Sequence, residues 1–163
     1  MKTLLVLRHA KATRDESPSD YARELTKKGL KAAQRIGRVL SSASLMPDLI
    51  LSSSAQRARS TAEEAAAAAA YTGELKLLEE LYLAEPHTYV DTLRRFGGDA
   101  GTVLVVGHNP GIEALIFRLT GAAEHMPTAA LAECSLSIGS WAELGAQTPG
   151  ELRNIWRPKE IDD

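Results

Sequence analysis

Cysteine is nearly missing from this sequence: Cys134 is the only one in 163 residues. A single thiol excludes an intrachain disulfide and a cysteine-based zinc cluster, and it suits a reducing compartment, so the expected location is the cytoplasm. Long apolar runs are missing too. No stretch reaches the roughly 18 residues of a membrane-spanning helix, and the apolar opening of MKTLLVLRHA breaks at Arg8, short of the roughly 7–15 residues of a secretory h-region. Neither export nor insertion is expected. A surplus of positive charge is also absent. Nineteen Lys and Arg against 21 Asp and Glu give a net charge of -2 and a pI near 6.1, which leaves no global basic field for nucleic-acid binding by counterion release. Nucleic acid and membrane are therefore not expected partners.

Several familiar motifs do not occur. The chain has no G-x-x-x-x-G-K-[ST] loop, G-x-G-x-x-G fingerprint, H-E-x-x-H pair or G-x-S-x-G elbow, which argues against a classical NTPase, a Rossmann dehydrogenase, a zincin and a serine hydrolase. There is no internal repeat and no linker rich in Gly, Pro or Ser. One domain over 1–163 is expected, large enough to bury a core without metal or disulfides.

What is present alternates. Thr3 to Leu7 reads as a strand buried on both faces. Leu30, Ala33, Ile36, Gly37 and Leu40 recur at helical spacing and predict a helix from Thr26, its N-cap, to Ser42. After Pro47 a short strand is expected at Asp48 to Ser52, then a helix from Ala55 to Ala70 whose alanines permit close packing. Lys76 to Leu78 predicts a strand, Tyr89 to Phe96 a helix, Thr102 to Val106 a strand, and Pro110 to Leu119 a helix with proline near its first turn. Ser17-Pro18-Ser19-Asp20 reads as a surface loop. In the tail, SLSIG, SWAEL and ELRNIWRP predict two or three antiparallel strands with a turn at Thr148-Pro149-Gly150. The expected fold is α/β, a three-layer α/β/α sandwich with a mostly parallel sheet and an antiparallel C-terminal edge.

Parallel sheets bind ligands beyond the carboxyl ends of their strands. Arg8-His9 ends the first strand, Arg57 follows the second, and His108 follows the Thr102 to Val106 strand in Gly107-His108-Asn109-Pro110-Gly111. Two arginines and two histidines should converge there. Guanidinium groups bind phosphate oxygens with paired donors and stay charged, so they neutralise a dianion without a metal. Cations beside His9 should lower its pKa and free a ring nitrogen to attack phosphorus, while His108 donates to the transferred group. Arg14 and Arg59 read as solvated charges. His87 reads as a residue at a helix start or pocket rim, His125 as exposed, Trp141 and Trp156 as packing residues, and Cys134 as a small buried hydrophobe.

These motifs, LRHA, RHAKA, RELTKKG, SSSAQRARSTAE and VVGHNPG, resemble in order and spacing those of the histidine phosphatase superfamily, and most closely its SixA-type branch of small phosphohistidine phosphatases. The likeness runs from about residue 3 to 116. It implies that His9 is the phosphorylated nucleophile and that Arg8, Arg57 and His108 line the phosphate pocket. It implies also that Arg23 is a further phosphate ligand, with Thr26 and Gly29 in the same local pattern, and that no cofactor is used. Ala10 stands where the superfamily usually has glycine, which is tolerable if the backbone there does not need positive φ. The general acid that related phosphomonoesterases carry after the third strand has Glu79, Glu80 and Glu85 as candidates here, Glu80 first. The resemblance implies hydrolysis of phosphohistidine on a protein such as a phosphorelay histidine-containing protein. Hydrolysis of a small phosphorylated metabolite with Glu80 as acid stands as an alternative, and a phosphate-binding module without turnover as a second.

Overall fold

The computed structural model describes residues 1–15, 18–145 and 148–160. Its six strands are β1 (Lys2–Arg8), β2 (Leu49–Ser53), β3 (Glu74–Leu78), β4 (Thr102–Gly107), β5 (Leu131–Leu136) and β6 (Gly150–Trp156), in one sheet of order β3-β2-β4-β1-β5-β6. The first four of these, β3-β2-β4-β1, pair in parallel; β5 runs antiparallel to β1, and β6 antiparallel to β5. Helices α1 (Lys27–Ser42), α2 (Gln56–Ala68), α3 (Pro86–Phe96) and α4 (Gly111–Thr120) complete the fold.

Alternation along the strands sorts the core into two halves. Leu4 and Val6 of β1 and Val103 and Val105 of β4 point to α3 and α4, where they meet Tyr89, Leu93, Ile112, Leu115 and Ile116. Leu5, Leu7, Leu104 and Val106 point the other way, onto Ile36, Leu40, Ala58, Ala62 and Ala65 of α1 and α2. Both faces of β1 and β4 are thus covered, which is why their sequences are unbroken apolar runs. The result is the expected three-layer α/β/α arrangement. Thr26 caps α1, its side chain accepting from Gly29 N at 3.0 Å, and Gly121, at φ 77°, ends α4 in the left-handed conformation.

The tail corrects one expectation. The antiparallel strand expected at SLSIG is β5, but it starts earlier, at Leu131, and takes in only Ser135 and Leu136 of that segment, while SWAEL forms a 3-10 turn, Trp141–Glu143. Ser140 and Glu143 close that turn as a capping box. Trp141 is fully buried, and its indole N–H donates to Ala100 O at 2.7 Å, so the tryptophan plugs the α3 side of the core rather than extending the sheet. Ala129, Ala130 and Ala132 hide the start of β5, because a run of small residues fits an inner strand as well as a helix. Of the loop expected at Ser17-Pro18-Ser19-Asp20, Ser17 lies outside the described residues, and Asp20 opens a 3-10 turn, Asp20–Ala22.

Candidate active site

The carboxyl ends of β1, β2 and β4 deliver their following residues to one cavity of about 440 Å³, lined by Arg8, His9, Arg23, Arg57, His108 and Asn109 among others. All five residues that the sequence singles out for phosphate chemistry meet there. Lys11 and Arg14 line it as well, so Arg14, though exposed as expected, stands at the rim of this site. Glu79, Glu80 and Glu85 do not line it. Glu80 instead faces Arg95 of α3 at 4.0 Å.

His9 is 8% exposed, and its ring lies 5.3 Å from that of His108. Its Nδ1 sits 2.8 Å from the Ala10 carbonyl oxygen, which can only accept. The proton therefore stays on Nδ1, and Nε2 holds an open lone pair. Ala10 N–H donates to Thr61 Oγ1 at 2.9 Å, and Thr61 Oγ1 donates to Arg57 O at 2.7 Å, so Thr61 of the STAE segment ties the β1 end to α2. Ala10 has no positive φ, so the glycine usual in this place is not needed by the backbone.

Burial pushes the His9 imidazole down to about 4, with Arg57, Arg8 and Arg23 pushing the same way and the hydrogen bond to Ala10 opposing. His108 falls to about 3, first from burial, then from the neighbouring His9 and Arg57. The His9 shift runs in the direction expected from the flanking cations, with removal from water the larger cause. His108 Nε2 lies 2.8 Å from Ser53 Oγ, which accepts from Ala55 N. A Ser53 hydroxyl that donates to Nε2 leaves the His108 proton on Nδ1, an atom without a partner.

That atom has company. Among the described residues the buried side-chain polar atoms without a hydrogen bond are Arg8 Nε, Arg57 Nε, His108 Nδ1 and Asn109 Oδ1, and all four residues line this one cavity. Unpaired buried polar atoms are costly, so their concentration here is what a site for an external polar group produces.

Three residues that the sequence does not single out, Asp20, Tyr82 and Glu113, hold the lining residues in place. The Asp20 carboxylate accepts from Arg57 Nη2 at 3.1 Å, from Arg23 Nη1 at 3.0 Å and from the Tyr82 hydroxyl. The Tyr82 bond first, then the arginines, hold Asp20 down at about 2, so it is a carboxylate at neutral pH. Tyr82 also stands edge-on to His108, ring centroids 5.6 Å apart. The one local cue to Asp20 was an acid three residues before Arg23. On the opposite side Glu113 Oε2 accepts from Asn109 Nδ2 and Met126 N, both at 2.8 Å, while Arg8 Nη1 donates to Met126 O at 3.1 Å. Glu113 thus fixes the loop that anchors Arg8. Among the described residues no three His, Cys, Asp or Glu side chains gather as a metal would require.

Residues 4–85 match the histidine phosphatase superfamily (branch 1). A protein of Mycobacterium tuberculosis, itself uncharacterized, is 33% identical over 85% of this chain and 91% of its own length. A Nakamurella multipartitia structure assigned as a SixA phosphohistidine phosphatase superposes with a TM-score of 0.85 at 31% identity, covering 96% of each chain. The chain belongs to the histidine phosphatase superfamily, in its SixA-type branch. A structure of the protein histidine phosphatase SixA complexed with tungstate shares the fold, with a TM-score of 0.84 at 22% identity over 98% of this chain and 99% of that one. As a member of the superfamily the chain is a phosphatase, and a cavity lined by arginines and two neutral imidazoles suits a phosphoryl dianion.

Proposed function

We propose that the protein hydrolyses phosphohistidine on a protein substrate, without a metal, through a phosphohistidine intermediate on His9. The observation that carries this reading is the open lone pair of His9 Nε2 among the unpartnered donors of Arg8, Arg57 and His108. Nε2 attacks phosphorus and forms an N–P bond as the bond to the substrate imidazole breaks, its electron pair going to the leaving nitrogen. The other ring nitrogen of that imidazole carries a proton from solvent, so the ring departs neutral. Water then attacks phosphorus, the N–P pair returns to Nε2, and the water's proton leaves with phosphate or to solvent. Arg8, Arg23, Arg57 and His108 hold the equatorial oxygens throughout.

Leaving-group chemistry favours phosphohistidine over a small phosphomonoester. An alkoxide needs a proton as it departs. Glu80 is engaged toward Arg95, and the carboxylate that does reach the arginines, Asp20, is ionised well below neutral pH. An imidazole leaves without either. The cytoplasm is the compartment this reading implies.

Purified enzyme assayed on a phosphohistidine-bearing protein and on a panel of sugar and nucleotide phosphates tests the assignment. Turnover of the protein, indifferent to Glu80→Gln, is expected. Faster turnover of the monoesters, lost in Glu80→Gln, would reverse it. Brief incubation with labelled substrate and alkaline quenching should leave acid-labile label on the enzyme and none on His9→Ala; an unlabelled wild type would indicate a binding module instead.

A further inference from the structure

Helix α1 carries Lys27, Lys28, Lys31, Arg35 and Arg38 and no acidic residue, in a chain whose net charge is -2. Lys28, Lys31 and Arg35 fall at i, i+3 and i+7 and share one face, an arrangement of like charges that opposes the helix it sits on. Among the described residues no carboxylate pairs with Lys11, Lys28, Lys31 or Lys159. Lys11, Lys28, Lys31 and Lys159 thus form a cationic stripe whose charges no ion pair among the described residues uses.

The stripe is concave and leads to the active site. Lys11, Lys28, Lys31, Arg35, Thr128 and Lys159 line a second cavity of about 440 Å³, and Lys11 and Thr128 line the His9 cavity too. Its bearing on His9 is fixed through the backbone. The Lys11 carbonyl accepts from Thr26 N at 2.9 Å and Thr26 Oγ1 at 3.3 Å, and a Cβ on Gly29 would collide with the same oxygen. The first turn of α1 is therefore clamped to the segment that carries His9, Ala10 and Lys11. Thr26 and Gly29, otherwise far from phosphate, acquire a physical reason in this clamp.

We propose that this surface docks an acidic stretch of the substrate protein, so that the enzyme selects phosphohistidines flanked by Asp or Glu. The inference rests on the phosphohistidine reading above. A polypeptide is the favoured occupant because the two cavities share a wall, and the molecule that enters the first is then at hand to fill the second. The field is local: around it the chain is slightly acidic, and the Debye length is only about 10 Å at 0.1 M salt. An acidic segment next to the phosphohistidine fits that range.

Two synthetic peptides make the test, one with a phosphohistidine followed by glutamates and a twin with glutamines. At low ionic strength wild type should favour the glutamate peptide by about tenfold in kcat/KM, through KM with kcat unchanged. The preference should vanish in Lys28→Glu/Lys31→Glu, shrink in Lys28→Gln/Lys31→Gln, and disappear for wild type near 1 M salt, where the Debye length is about 3 Å. Lys28 and Lys31 are exposed, and both variants should hydrolyse the glutamine peptide as wild type does. Equal turnover of the two peptides by wild type would overturn the docking proposal and leave the phosphatase reading intact. Hydrolysis of neither would overturn the phosphohistidine reading. Docking is then decided separately by fluorescence anisotropy on His9→Ala, where equal affinity for the two peptides refutes it. Tighter binding of a uridine oligonucleotide to the same lysines would reassign the surface to nucleic acid.

Discussion

Acid should destabilise this protein through two particular rings. His9 and His108 are held at about 4 and about 3 in the folded state, against about 6.5 for an unfolded imidazole. Between those values the unfolded chain binds protons that the folded chain refuses, so stability rises with pH across the window and is lost as pH falls below about 6.5. At pH 5 nearly all of the unfolded imidazole is protonated and nearly none of the folded. Each ring then costs about 2 kcal/mol relative to pH 7, and the pair about 4 kcal/mol. The two losses add, although charged rings would repel each other, because neither ring is charged in the folded state at pH 5. The exact folded pKa hardly enters, since the loss is limited by the unfolded value.

The assay is urea denaturation at pH 7 and pH 5 in buffers free of phosphate, whose binding would stabilise the folded state. Wild type is compared with His9→Gln, His108→Gln and the double variant. The quantity of interest is the difference between the two pH values within each protein, which removes the structural cost of each substitution. Each single variant should recover about half of the two-ring loss and the double variant nearly all of it. If the double variant lost as much stability as wild type on going to pH 5, or if the His9 ring titrated near 6.5 by NMR in the native protein, the burial argument would be wrong.

Three other substitutions probe different links. Arg57→Lys keeps the charge but loses the fork that reaches Asp20 and the cavity together, and kcat/KM should fall by about 10²–10³; a change under tenfold would deny Arg57 a place in the reaction. Gly37→Ala places a methyl group 2.6 Å from Ala68 Cβ and against the Ala65 carbonyl, where α1 packs on α2, and should cost about 1–3 kcal/mol in urea denaturation, while a neutral result would mean that the helices separate freely. Glu113→Ala removes the acceptor of Asn109, Met126 and the exposed His125, and should cost about 1–3 kcal/mol and lower kcat/KM through the loosened Arg8 anchor; lost stability with full activity would show that Met126 does not position Arg8.

The layers were legible because β1, β2 and β4 are buried on both faces, and that condition writes itself as continuous apolar runs. The four catalytic candidates were legible for a related reason: Arg8 ends β1, and His9, Arg57 and His108 follow strand ends by a residue or a few, so local sequence places them on the sheet's carboxyl edge. Where sequence reading fell short, packing across long separations decides. β5 is held by register against β1 and not by its own composition, and Trp141 leaves the sheet because a buried indole found Ala100.

Asp20 is the sharpest case. It lies 37 residues from Arg57 and 62 from Tyr82, and only the folded return of its 3-10 turn brings the three together. Yet a pocket of this composition implies such a residue. Guanidinium groups gathered without an anion repel one another, and Arg57, nearly buried, is screened by little water. A carboxylate that takes Nη2 of Arg57 and Nη1 of Arg23 supplies the missing negative charge while leaving Arg57 Nε unpaired. Asp20 therefore supplies within the fold part of the negative charge that phosphate would bring, with donors still open for the rest.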